Sequence, residues 1–343
     1  MSNLSLIFIG FGNVGQALAE LLECKRNLLK DTYNFNFHIT GIATGRHGMA
    51  LDPVGLPMDR VVAAVKSGET IESFHKGSPL LDTFDFIRHS NANVMFENSP
   101  VNHKTGQPAT DHLRTALEFG MHAITANKGP VVHAYRELMD MAQKQGKRFL
   151  FESSVMDGAP IFSLFRGPLP AIELQGFSGI LNSCTNLLLG LMEEGKSFED
   201  AVAYAQSVGI TETDPSADID GWDAAIKVCA LSTVIMGIPL KPDQIEREGI
   251  RSITPQMLRE AKAAGERWKL VCNAHREIDK VTASVKLQRV GPNSPLFSIN
   301  GTSSFVQFET DVLPSLGIVE GSPGPATTAY GLLADLINAV RGQ

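Results

Sequence analysis

Residues 205 to 227, AQSVGITETDPSADIDGWDAAIK, hold the densest set of groups able to do chemistry in this chain. Glu212, Asp214, Asp218 and Asp220 fall in a short loop, and Asp223 and Lys227 follow four residues apart in a run of helical character. On a helix, that spacing places both side chains on one face. A group of carboxylates ending in an oriented Asp–Lys pair suits a small substrate that bears a cationic amine and exchanges a proton. A solvated acidic loop followed by an ordinary helix with a surface ion pair would use the same residues. The segment alone leaves both readings open.

A second set opens the chain. Gly10-Phe11-Gly12-Asn13-Val14-Gly15 has the spacing G-x-G-x-x-G and lies between an apolar run and a helical one, the context a dinucleotide fingerprint requires. Gly10 permits a tight turn, Gly12 lets backbone approach a pyrophosphate, and Gly15 lets helix and strand pack closely. The helix start at Asn13 and Val14 offers free N–H groups and a positive dipole end to phosphates. The alternative is a glycine turn in an α/β domain that binds nothing. The next apolar run ends Ala43-Thr44-Gly45-Arg46-His47. It has no acid for a ribose 2′-hydroxyl, and Arg46 favours a 2′-phosphate, hence NADP over NAD. Arg46 would otherwise be a plain solvated arginine.

The elements that must carry these groups follow from periodicity. Apolar runs at 4–9, 37–43, 92–97, 121–126 and 148–154 read as strands, with helical patterns at 112–120 and 135–146 between them. Strands alternating with helices mean βαβ units and a parallel sheet, so residues 1–150 are expected to form a Rossmann dinucleotide-binding domain. After Ser154 glycine and proline punctuate the chain. Strands are then expected at 174–181, 280–290 and 300–310, and helices at 185–195, 197–209 and 222–237. The second of these helices carries a loose capping box, with Ser197 three residues before Asp200. A Gly/Pro turn leads into a last amphipathic helix near the C-terminus. The fold class is therefore α/β: a Rossmann domain plus a mixed α/β domain.

Composition narrows the function. The chain has 343 residues, 43% hydrophobic and 20% charged, with net charge −7. No basic stripe interleaved with aromatics points to nucleic acid. No apolar run reaches the ~20 residues a membrane span needs. The N-terminus reads as a strand rather than a signal peptide. Cys24, Cys184, Cys229 and Cys272 are widely spaced, without a Cys-x-x-Cys, so neither a disulfide framework nor a zinc site is expected. A cytoplasmic protein with reduced thiols fits these features.

Taken in order along nearly the whole chain, the segments ENSPVNHKTGQP, AITANKGP, ESSVMDGAP, GILNSCTN, TETDPSADIDGWDAAIK and PGPATTAYGLLAD resemble the homoserine dehydrogenase family. The resemblance implies reversible, NAD(P)-dependent interconversion of L-homoserine and L-aspartate 4-semialdehyde, on the route to threonine and methionine. It also implies a catalytic and dimerisation domain over 151–320, a helix over 321–343 returning to the Rossmann domain, and a homodimer or homotetramer. The short form of the family is expected, without an ACT regulatory domain or an aspartate-kinase fusion.

The same resemblance assigns roles. Lys128 and Lys227 match the family's two catalytic lysines, with Asp223 orienting the Lys227 ammonium and the substrate hydroxyl. Glu212 matches the residue that binds the substrate α-ammonium, and Asp218 a second polar pocket residue. Asp214, before Pro215, is expected to shape the loop. Asn127 and Lys128 in AITANKGP and Gly324 in the closing turn fall at cofactor-side positions. Glu152, with the carbonyls of Val155, Asp157 and Ala159, corresponds to a site for a monovalent cation such as Na+. Three positions depart from the pattern. Ser183-Cys184 replaces a Gly-Thr pair where the substrate carboxylate is held, Ile210 replaces a frequent tyrosine, and Met156-Asp157 interrupts a Gly-rich turn. These departures leave room for another hydroxy amino acid or amino aldehyde as substrate. A dinucleotide sensor without turnover would need the glycines but not Lys128, Asp223 and Lys227.

Overall fold

The computed structural model describes residues 1–211, 214–278 and 280–342. Two compact units partition it: Met1–Pro160 with Gly324–Gln343, and Ile161–Pro323.

The first unit is built on strands β1 (Ser2–Ile9), β2 (Phe35–Thr44), β3 (Gly48–Leu51), β4 (Val94–Glu97), β5 (His122–Thr125) and β6 (Phe149–Leu150), in the order β3-β2-β1-β4-β5-β6. All neighbours run parallel except the β2–β3 hairpin at the edge. Leu6, Ile7, Phe8, Val94, Met95 and Phe96 are completely buried, as strands covered on both faces require. Helices α1 (Asn13–Tyr33), α2 (Met58–Lys66), α3 (Thr83–His89), α4 (Ala109–Glu118), α5 (Lys128–His133) and α6 (Tyr135–Lys144) connect them. The order reverses between β1 and β4, so a crevice opens at the carboxyl ends of these two strands. The core takes in a helix from far along the chain. Leu332, Leu333 and Leu336 of Pro325–Arg341 pack with Phe8, Leu18 and Leu22.

Ile161–Pro323 forms the second unit. It holds α7 (Phe162–Arg166), β7 (Leu174–Ile180), α8 (Ser183–Glu193), α9 (Phe198–Ser207), α10 (Ser216–Ile219), α11 (Trp222–Val234), β8 (Glu246–Arg247), α12 (Pro255–Ala263), β9 (Arg267–Glu277), β10 (Lys280–Val290), β11 (Ser304–Thr310) and β12 (Leu316–Glu320). The sheet order is β12-β11-β7-β9-β10-β8, antiparallel except for β8 on β10. α11 is apolar nearly all round, and the run Ala224–Ile226 and Val228–Leu231 is completely buried, the signature of a core helix. Ser197 caps α9 as its spacing predicts, accepting the Asp200 N–H at 3.0 Å. The last helix, Pro325–Arg341, is α13. Among the described residues no helix is long and apolar enough to cross a membrane.

The structure revises three local expectations. The strand over 148–154 is only Phe149–Leu150, because the chain turns into a 3-10 turn at Glu152–Ser154. There the Glu152 N–H donates to Asp335 Oδ2 (2.7 Å) and the Ser154 hydroxyl to Phe151 O (2.8 Å), so no ladder partner is left to continue the strand. The first sheet is not purely parallel, since β3 folds back on β2. Lys128 begins a short helix that the sequence Lys-Gly-Pro conceals; proline is tolerated there because it lies in the first turn.

Candidate active site

The glycine fingerprint forms a cradle at the end of β1. Gly10 has φ +84°, and a Cβ on it would stand 2.5 Å from the Asn98 carbonyl oxygen, so β4 and the turn could not approach as they do. A Cβ on Gly15 would stand 2.9 Å from Gly10 O, whereas one on Gly12 would meet nothing within 4 Å. Two glycines thus permit close packing and the third faces open space. Gly12 is the N-cap of α1, and no side chain caps the first amides of that helix. Asn98, on the same rim, keeps both polar atoms of its amide buried without a hydrogen-bond partner. Such a group costs about 1–3 kcal/mol unless something satisfies it. Open amides, room at Gly12 and an amide in need of partners fit a dinucleotide. Arg46 is exposed at the tip of the β2–β3 turn, which the Thr44 hydroxyl braces by accepting the His47 N–H at 2.7 Å.

Lys128 stands on the same side of this unit. The Thr125 hydroxyl, at the end of β5, accepts the Asn127 N–H (2.9 Å), and Asn127 Oδ1 caps α5 at the Gly129 N–H (3.0 Å). Asn127 Nδ2 donates to Ser99 O at 3.1 Å. Lys128 is half-buried, with its backbone fixed on both sides. Sequence reasoning missed Glu97 and Asn98, which connect these loops. The one available signal was an acid closing the otherwise apolar strand VMFE.

In the second unit a single amide gathers two of the expected residues, and Lys227 joins them through Asp223. Asn182 caps α8 through its Oδ1, and its Nδ2 donates to Asp218 Oδ1 at 2.7 Å and to Asp223 Oδ2 at 2.9 Å. Lys227 Nζ lies 3.1 Å from Asp223 Oδ2 and donates to Leu181 O at 2.6 Å. Asp223 and Lys227 are therefore one face of α11, and Asn182 ties that face to α8. Asp218 Oδ2 also accepts the Thr211 hydroxyl at 3.2 Å. Burial and, next, the neighbouring Asp223 push the Asp218 carboxyl above the usual range; hydrogen bonds and Lys227 offset part of this. The acidic cluster is thereby sorted. Asp218 turns inward, Asp220 pairs outward with Arg251, and Asp214 accepts the Ser216 N–H at 3.0 Å and braces its loop. Glu212 lies outside the described residues.

At the start of α8, Ser183 Oγ lies 3.1 Å from Ser304 Oγ. Cys184 is buried, and burial, reinforced by Asp218, pushes its thiol up to about 12. It acts as a small neutral group rather than a thiolate.

The carboxylate of Asp157 is taken up locally. Asp157 Oδ2 accepts the Gly324 N–H (2.8 Å) and the Thr327 hydroxyl (2.7 Å), so it caps α13. Gly158 and Gly331 allow this approach, because a Cβ on Gly158 would stand 2.6 Å from Thr327 O. Glu152 is buried in the same turn, with Val155 and Ala159 close in sequence. Among the described residues no three His, Cys, Asp or Glu side chains gather as a metal site, a pattern that does not bear on one carboxylate with backbone carbonyls.

A profile described as homoserine dehydrogenase matches residues 160–337, and one described as homoserine dehydrogenase, NAD binding domain, matches residues 10–152. A homoserine dehydrogenase of Methanocaldococcus jannaschii is 34% identical over 336 residues, covering 98% of each chain. An NAD(+)-dependent homoserine dehydrogenase of Pseudomonas canavaninivorans is 31% identical, covering 98% of this chain and 96% of its own. A solved structure of a hyperthermophilic archaeal homoserine dehydrogenase in complex with NADPH superposes with a TM-score of 0.82 at 26% identity, covering 99% and 98%. With a dinucleotide cradle in one unit and an Asn-bridged Asp–Lys cluster in the other, this chain belongs to the homoserine dehydrogenase family, a family of NAD(P)-dependent oxidoreductases.

Proposed function

We propose that this chain interconverts L-homoserine and L-aspartate 4-semialdehyde, the step that leads toward threonine and methionine, with NADP preferred to NAD. The observation that carries the reading is the Asp218–Asn182–Asp223–Lys227 cluster, which retains an oriented lysine in a chain of this family. In this reading residues 1–150 hold the cofactor, 151–320 hold the substrate and make the subunit contact of a homodimer or homotetramer, and 321–343 belong with the first domain. A cytoplasmic location fits this role.

Gly10, Gly12, Asn13, Val14, Gly15, Asn127 and Gly324 would hold the cofactor, and Arg46 its 2′-phosphate. The bound nicotinamide supplies or accepts the hydride. On this chain, Lys128 and Lys227 jointly serve the proton of the substrate hydroxyl, and Asp223 aims the Lys227 ammonium. Glu212 binds the α-ammonium, Asp218 supports it, and the start of α8 at Ser183 and Cys184 receives the carboxylate. Glu152 with the carbonyls of Val155, Asp157 and Ala159 holds a monovalent cation, since hard oxygen donors suit such an ion.

Initial rates with L-aspartate 4-semialdehyde, followed at 340 nm with NADPH and then NADH, test the reading. Lys227→Ala is expected to lower kcat by about 10²–10⁴-fold while NADPH still binds. Retained turnover in that variant would remove Lys227 from the mechanism, and equal rates with both cofactors would remove Arg46 as the phosphate reader. A second substrate is favoured by one observation. The Ser183 hydroxyl is engaged by Ser304, so the pocket start differs from a Gly-Thr pair in shape and donors. Turnover with another hydroxy amino acid and none with homoserine would establish that reading.

A further inference from the structure

Glu97 ends β4 and is completely buried. Its carboxylate is the hub of a polar network that the proposed reaction scheme does not use. Oε1 accepts the Ser99 N–H at 3.2 Å, the Ser99 hydroxyl, and His112 Nδ1 at 3.4 Å. The Thr125 hydroxyl donates to the Glu97 backbone carbonyl at 2.7 Å and lies 3.3 Å from Oε2. Thr125 is the register partner of Glu97 on β5, and the same hydroxyl accepts the Asn127 N–H. Asn127 in turn reaches back to Ser99 O and forward to the Gly129 N–H. Glu97, through its carboxylate and its backbone carbonyl together, thus closes a circuit through both loops that leave the carboxyl ends of β4 and β5, with Lys128 inside it.

A second clamp lies a few residues away. A Cβ on Gly106 would stand 2.9 Å from the Gly129 carbonyl, and one on Gly129 would stand 2.8 Å from Gly106 Cα. The loop from Asn98 to Gly106 is therefore fastened to the start of α5 at two points, one polar and one by close backbone contact. Lys128 is the residue held between Asn127 and Gly129. A buried carboxylate is costly and persists where several donors satisfy it. An apolar residue at the end of β4 would complete the strand without that cost. The carboxylate is explained by what it organises.

We propose that Glu97 is a positioning residue for the reaction, setting Lys128 and the Asn98–Pro100 loop through Ser99 and through Thr125 and Asn127. This rests on the assignment of Lys128 to the active site. Glu97 fixes the origin of the Lys128 side chain. That affects turnover more than binding, because a misplaced catalytic group costs rate steeply.

The test compares Glu97→Gln, Thr125→Val and Lys128→Ala in the full-length enzyme, with kcat, KM for the amino-acid substrate and NADPH affinity by fluorescence. Glu97→Gln is expected to lower kcat about tenfold or more, and to leave KM for the amino acid and NADPH affinity within about threefold. Thr125→Val, which keeps the side-chain volume and so covers the case in which Glu97→Gln does not fold, should act in the same direction by a smaller factor. A purely structural loosening would weaken NADPH and amino-acid binding along with kcat, and that result overturns the proposal. Unchanged kcat in both variants overturns it as well. Turnover retained by Lys128→Ala refutes the catalytic assignment and the inference together. Turnover lost in Lys128→Ala but kept in Glu97→Gln and Thr125→Val refutes the inference alone.

Discussion

The Cys184 thiol sits against Asp218 and Thr211, and with its ionisation pushed up to about 12 it stays neutral throughout the range in which the enzyme would work. Cys229 and Cys272 are likewise buried and raised, whereas Cys24 is exposed. Iodoacetamide at pH 8 is therefore expected to label Cys24 alone in the native protein. Mass spectrometry showing rapid labelling of Cys184, slowed by NADPH, would contradict its neutral, buried character. Individual residues differed in how far sequence announced them. Asp223 and Lys227 were legible because a fixed helical interval puts them together whatever the tertiary structure. Asn182 was not, because its importance lies in reaching Asp218 and Asp223 from some forty positions away, and an amide's two donors carry no sign of their partners. Asp157 was legible as a departure but not as a cap, since its partner amide at Gly324 is remote in sequence.

Among elements, β9 carries an unusual cost. Lys269 is 2% exposed, with Nζ donating to Asn186 Oδ1 at 2.8 Å and to Ile299 O. Asn186 Nδ2 donates to Gly301 O at 3.0 Å and to Ser303 O at 3.3 Å. This joins α8 to the segment leading into β11, where Ser304 meets Ser183. Burial, then the neighbouring Arg267, lowers the Lys269 ammonium from its ordinary 10.5 to about 8, and Glu193 opposes this. The sign follows directly. Between pH 8 and 10.5 the unfolded chain binds more protons at this position than the folded one, so its contribution to stability rises with pH there. The full change is on the order of 3 kcal/mol. Urea unfolding of the native protein and Lys269→Met at pH 8 and pH 10 should show the difference between them moving in favour of the native protein at the higher pH. A constant difference would mean that Lys269 titrates normally. Long elements such as α1 and α11 were legible from their period. β3 and α5 were not, and β6 was legible only as a longer strand, because each is too short for a pattern and is set by partners: the β2 edge, the Asn127 cap and the Asp335 carboxylate.

The whole molecule is divided unequally by its chain. The second unit is one continuous segment, Ile161–Pro323, whereas the first draws on both ends of the sequence. Leu332, Leu333 and Leu336 supply core contacts that residues 1–160 cannot make among themselves, each worth roughly 1.5–3 kcal/mol when buried. Expressed alone, Ile161–Pro323 is expected to unfold in a single cooperative transition by circular dichroism. Residues 1–160 alone are expected to lack one, and to gain it when a peptide of Pro325–Arg341 is added. A sharp transition in residues 1–160 without the peptide would show that the helix is dispensable. At this scale the two-part α/β plan was legible because alternating strands and helices give way to glycine and proline punctuation after Ser154. The mixed sheet order of the second unit was not, since register between distant strands leaves no mark in either one.

The placement of α13 also sets an order in time. A ribosome delivers the whole of Ile161–Pro323 before it delivers Leu332, although Gly10, Gly12 and Gly15 left the exit tunnel first. The part of the polypeptide made earliest is thus the last to receive all of its core residues. During synthesis its sheet lacks Leu332, Leu333 and Leu336 until more than three hundred codons beyond Gly10 have been read. A message stopped before this helix would leave Ile161–Pro323 whole and the first unit short of part of its core.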